Sequence, residues 1–114
     1  MFLIKLFLLI SRGKFEKKKK SHSFQATVIV LFHATAIHRG FQTTVHIGNI
    51  RQTAIIEGIM AVGGIHTNER ASVLFRFVRH PEYVRVGMRL LFREGKTKGI
   101  GTVTQVFAYK PHGG

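Results

Sequence analysis

Apolar and polar residues alternate with a period of two through most of the chain beyond Ser23. Phe24, Ala26, Val28, Val30 and Phe32 alternate with Gln25, Thr27, Ile29 and Leu31, which predicts a long strand with one core-facing side. The second side turns apolar toward its end, predicting cover on both faces there. His33–Gly40 reads as a loop and Phe41–Ile47 as a second strand. Gly48-Asn49 is a two-residue hairpin signal leading into a third strand, Ile50–Ile59. Ala61–Asn68, with Gly63-Gly64 and Thr67-Asn68, is a turn region. Ala71–Val78 sets Val73, Phe75 and Phe77 against Ser72, Leu74 and Arg76, and Pro81 ends that strand because it cannot donate to a ladder.

After His80–Tyr83, read as a loop, comes a final hairpin. Met88, Leu90 and Phe92 alternate with Arg89, Leu91 and Arg93; Glu94-Gly95-Lys96-Thr97 turns the chain, with Gly95 free to supply a positive φ. On the return strand Ile100, Thr102, Thr104 and Val106 share one side, and Val103, Gln105 and Phe107 the other. Gly99 and Gly101 inside it mark a bulge, a barrel corner or the close approach of another backbone. With about six short strands and no 3.6-residue periodicity, the pattern predicts an all-β sandwich or small barrel.

Composition narrows the chemistry. The chain has 114 residues, enough for one domain, and is 45% hydrophobic, enough for a core. It has no Cys and no Asp, which excludes disulfides, zinc–thiolate sites, thiol catalysis and an Asp-assisted triad. The net charge of +13 divides into +6 over the first twenty residues and +7 over the remainder, so the chain is basic beyond its leader and a polyanion is the natural partner to consider. Residues 1–23 read as a disordered or helical leader. Met1–Ile10 is apolar except for Lys5, and Lys17–Lys20 follows it. That apolar stretch falls short of the about 20 residues that span a bilayer, and its basic residues follow rather than precede it, unlike a signal peptide. A lysine run behind an apolar segment suits anionic lipid, which leaves a basic membrane-surface protein as an alternative.

Gly95-Lys96-Thr97 mimics the tail of a phosphate-binding P-loop. Leu90 stands where that motif needs glycine, and a strand follows where it needs a helix, so no nucleotide site is expected here. The seven histidines form no H-x-x-x-H pair and lack Asp and Cys as co-ligands, so they read as surface or hydrogen-bonding groups rather than metal ligands. The five glutamates are scattered and suggest no catalytic pair; Glu94 reads as a turn residue paired with Arg93 or Lys96. Arg39, Arg51, Arg89, Arg93, Lys96 and Lys98 fall at strand ends or in loops, where they could grip phosphates together with backbone N–H groups near Gly40 and Gly95. The alternative is a solvated charged face. Most Phe residues alternate into the core, so base stacking and sequence-specific RNA readout are not indicated.

Three stretches carry a resemblance: VLFHATAIHRGFQTTVHIGNIRQTA, then FRFVRHPEY, then LLFREGKTKGIGTVTQV. In that order, across Phe24–Phe107, the chain resembles the third, elongation factor Tu-like domain of translational GTPases of the GTP-binding protein 1/2 group. The resemblance implies a closed antiparallel β-barrel over residues 24–108, with 109–114 as a tail. It implies a cytoplasmic parent that binds GTP and Mg, hydrolyses GTP and acts in translation elongation and ribosome rescue. This chain has no P-loop, Asn-Lys-x-Asp motif or switch region, so it is expected to be a fragment or short isoform with no enzyme activity and no cofactor of its own. In the family this barrel docks on the GTPase domain and holds the T-stem backbone of tRNA through its closing hairpin. Arg93, Glu94 and Gly95 match that loop, and Lys96 and Lys98 make it shorter and more basic here. The stretch Arg39, Gly40 and Gln42 occupies the place of another tRNA-facing segment, with different residues. The implied partners are therefore tRNA or ribosomal RNA and the GTPase domain, or the GTPase domain alone if the barrel only docks.

Overall fold

The computed structural model describes residues 17–109, and every described element is a strand or a connection between strands. The strands are β1 (Lys19–Ser21), β2 (Ser23–Phe32), β3 (Gln42–Ile47), β4 (Ile50–Ile59), β5 (Arg70–Phe77), β6 (Glu82–Val84), β7 (Arg89–Glu94) and β8 (Thr97–Phe107). Six of them close an antiparallel barrel in the order β2-β5-β4-β3-β7-β8, with β8 returning to β2. Closure settles the choice between sandwich and barrel, and it leaves no barrel strand with an unpaired edge.

The period-two pattern sorts the side chains as expected. Phe24, Ala26, Val28 and Val30 of β2, Val73, Phe75 and Phe77 of β5, and Leu90 and Phe92 of β7 are all buried. Four aromatic rings run through the middle: Phe24 packs on Phe75 and on Phe77 at 5.2 Å between centroids, and Phe75 meets Phe92 at 6.0 Å. Each such side chain contributes about 1.5–3 kcal/mol through burial. The Gly48-Asn49 turn joins Ile47 directly to Ile50, with positive φ only at Gly48, the geometry of a type II′ hairpin.

The two glycines inside β8 are explained by close approach. A methyl group at Gly101 would stand 2.4 Å from the carbonyl oxygen of Thr27, and one at Gly99 would overlap the Phe92 ring. The strand also carries a bulge, because the pairing slips between Gln25 and Ala26 and leaves Thr104 as the extra residue.

Three expectations are corrected. The end of β2 is not covered on both faces: Leu31 and Phe32 are 42% and 47% exposed. A second slip, between Val30 and Phe32, turns these two side chains out of the barrel. The stretch His80–Tyr83 is not all loop, because β6 pairs antiparallel with β1 across one end of the barrel. The leader therefore ends before Ser23. Ser21 is fully buried; its hydroxyl donates to the Phe107 carbonyl at 2.6 Å and accepts from the Ser23 N–H at 3.1 Å. The expectations for residues 1–16 and 110–114 lie outside the described residues.

At the opposite end, two loops clasp each other. Ile37 and Ile65 exchange backbone hydrogen bonds of 2.8 and 3.0 Å and are both buried, although neither sits in a patterned strand. Thr67 Oγ1 accepts from the His33 N–H and donates to the His33 carbonyl, each at 3.0 Å. Asn68 turns that loop with φ of 69°, a conformation asparagine tolerates better than most side chains.

Candidate nucleic-acid interface

The hairpin of β7 and β8 is held from inside. Glu94 pairs with Thr97, leaving Gly95-Lys96 as a two-residue turn with φ of 58° at Gly95. Phe92 points into the core over Gly99, and Thr97 is buried with its hydroxyl 2.6 Å from His33 Nδ1. Because successive side chains on a strand point to opposite faces, anchoring Phe92, Thr97 and Gly99 inward sends Arg93 and Lys98 outward. These two are direct cross-strand partners and both are exposed.

The neighbouring strands extend the cationic surface. Arg93 pairs with Thr44 of β3, and His46 of β3 pairs with Arg51 of β4 across the Gly48-Asn49 turn. Thr44, His46, Arg51, Arg93, Glu94 and Gly95 line a polar groove of about 340 Å³. A second groove of about 360 Å³, lined by Thr44, Arg51, Gln52, Thr53 and Arg79, continues from it. Among the described residues Arg51, Arg79, Arg93, Lys96 and Lys98 make no ion pair. Like charges placed directly opposite on adjacent strands destabilise a sheet.

The structure brings the sequence-derived candidates together only in part. Arg93, Glu94 and Gly95 line the groove, Lys98 faces Arg93, and Lys96 sits exposed in the turn. Arg39, Gly40 and Gln42 are exposed but do not line it. Gly40 is no phosphate donor, since its N–H is bonded to the Ile56 carbonyl at 2.7 Å, and the Phe41 N–H is bonded to His38 at 3.2 Å. Gly95 N–H, in contrast, has no backbone acceptor among the described residues. Glu94 makes no ion pair with Arg93 or Lys96, contrary to the expected turn pairing. Thr44 and His46 are additions to the site. The Gly48-Asn49 turn held the signal for them, because a two-residue hairpin fixes 46 opposite 51 and 44 opposite 53.

The histidines make ordinary polar contacts: His33 with Thr97, His66 with Glu69, and His80 with the Pro81 carbonyl. Among the described residues no three His or Glu side chains gather as metal ligands.

No protein-family model matches the chain. GTP-binding protein 2 of Mus musculus and of Homo sapiens are each 60% identical to it over 85 residues. That match takes in 75% of this chain and 14% of the relatives' length. GTP-binding protein 1 of Xenopus laevis is 45% identical over 86 residues, which is 75% of this chain and 13% of that protein. The chain thus spans a small part of the curated relatives it matches, and over that part it is a homologue of the GTP-binding proteins 2 and 1.

Proposed function

We propose that the chain is the C-terminal barrel of a cytoplasmic translational GTPase of the GTP-binding protein 1/2 group, and that its β7–β8 hairpin lies against phosphates of tRNA or ribosomal RNA. The observation that carries this reading is the gathering of Arg93, Arg51 and His46 in one groove, with Lys98 facing Arg93 from β8 at its side. Arginine forks and lysine point charges bind phosphate oxygens, and the Gly95 N–H adds a donor of the kind that positions a backbone without reading bases. Nothing in the sequence offers a P-loop or base-recognition motif, so the barrel positions RNA and docks on a GTPase domain while the nucleotide chemistry belongs to that other domain.

The test is the triple replacement Arg93→Ala, Lys96→Ala and Lys98→Ala, with binding of a tRNA measured across a salt series. Losing three phosphate contacts lowers the magnitude of the slope of log K against log salt by about 2–3, at roughly 0.7–0.9 per contact. The expected result is weaker binding with a flatter slope. Equal affinity and equal slope in the triple variant refute the reading.

A further inference from the structure

A second surface lies on the outside of the barrel, beside the hairpin groove but different in character. Following the register from strand to strand, Arg70 of β5 faces Ile29 of β2, Ile29 faces Ile100 of β8, Ile100 faces Leu91 of β7, and Leu91 faces His46 of β3. The next row holds Thr27, Thr102 and Arg89. Together these side chains line a groove of about 680 Å³. Its floor is aliphatic, with Ile100 43% exposed, and its cations are Arg70, Arg89 and His46. No glutamate lines it.

The geometry selects the kind of partner. The aliphatic row crosses three neighbouring strands, two gaps of about 4.8 Å or about 10 Å in all, and Arg70 and His46 flank it on the next strand to either side, where the closed sheet curves away. The barrel is closed, so an extended segment gains no main-chain hydrogen bonds on this face. A helix arrives with its backbone already satisfied, and two turns of it, about seven residues, span the same roughly 10 Å. Its turns, about 5.4 Å apart, fall close to the spacing of Ile29, Ile100 and Leu91 across the strands. Nucleic acid would leave the aliphatic floor unburied. A second copy of this chain would bring like charge, since the chain carries +13, and no helix among its described residues.

We propose that this groove docks an acidic amphipathic helix of a partner protein. Apolar side chains one turn apart sit on Ile29, Ile100 and Leu91, and carboxylates on the helix flanks meet the guanidinium forks of Arg70 and Arg89. The site shares only His46 with the proposed RNA groove, so it stands or falls separately from it.

The experiment uses the full chain and a fluorescein-labelled, helix-forming synthetic peptide of about 14 residues. The peptide carries three leucines one turn apart and glutamates on both flanks. Fluorescence anisotropy is expected to show saturable binding. Ile100→Ser weakens it at least tenfold and Arg89→Ala about threefold, while a peptide with its leucines replaced by serine does not bind. Ile100 is partly exposed, so the Ile100→Ser barrel keeps its fold, which its melting curve verifies. The peptide substitutions need no change in the protein. Binding unchanged by Ile100→Ser, or matched by a peptide with lysines for glutamates, overturns the proposal. So does an RNA oligonucleotide whose own binding is lost in Ile100→Ser, or self-association that Ile100→Ser abolishes, since each names a different occupant.

Discussion

Gly99→Ala tests the packing that presents the cationic hairpin. A Cβ at Gly99 would stand 2.1 Å from Cζ and 2.2 Å from Cε2 of Phe92, well inside the roughly 3.5–4.0 Å at which carbon atoms pack. Phe92 is 1% exposed and its ring meets Phe75, which in turn packs on Phe24, so the ring retreats only by displacing its neighbours. Overpacking of this kind costs about 1–3 kcal/mol. Replacing glycine by alanine in ordinary extended backbone returns about 0.4–1 kcal/mol through the unfolded chain. The net is a loss of about 1–2 kcal/mol, or about 4–16 °C in Tm at roughly 4–8 °C per kcal/mol. Thermal melts by circular dichroism or calorimetry measure it. Gly58→Ala serves as the control, because its Cβ would meet Leu74 Cβ at 3.7 Å, an ordinary contact, and it should be neutral or slightly stabilising. In a Phe92→Leu background the Gly99→Ala loss should shrink, since the ring tip that it strikes is gone. Stability equal to the parent, or an undiminished loss in the Phe92→Leu background, would falsify the steric account.

The remaining predictions concern single polar groups. Thr43 is fully buried and its hydroxyl has no hydrogen-bond partner among the described residues, so Thr43→Val should raise stability by about 1 kcal/mol in urea unfolding; a loss would mean the hydroxyl is satisfied in solution. Asn68 holds φ of 69°, so Asn68→Ala should cost about 1 kcal/mol and Asn68→Gly should cost nothing or stabilise, read from the same unfolding curves. The Glu69 carboxylate accepts the His66 N–H at 2.7 Å, and this bond, followed by the His66 side chain at 3.0 Å, holds its pKa below the ordinary glutamate range. A lowered folded pKa means that its contribution is complete above the usual range for glutamate and disappears as pH falls through the folded value. NMR titration should find Glu69 below the ordinary glutamate range, and Glu69→Gln should flatten the acid limb of stability against pH.

What was written in the sequence was local. Alternation assigned the inward sides of β2, β5 and β7 because a strand's period of two leaves each side chain only two faces to choose from. The Gly48-Asn49 pair and the Glu94–Thr97 loop located two hairpins because glycine there takes a positive φ at no steric cost, and strand pairing narrowed the second turn to Gly95-Lys96. The second of those turns also sets Arg93 against Lys98, so that part of the cationic surface follows from the hairpin alone.

Tertiary structure decided the rest, through contacts between residues far apart in the chain. Ile37 and Ile65 are buried by each other across two loops, and no local pattern marks either of them. The pairing of β1 with β6 joins segments more than sixty residues apart, both too short to show a period. Gly40 lost its donor to Ile56 for the same reason: its acceptor lies on another strand. The aliphatic row of Ile29, Ile100 and Leu91 exists only because barrel closure sets three strands in register, each supplying one side chain. Periodicity could say which face those residues occupy, but only the closed sheet could make them neighbours.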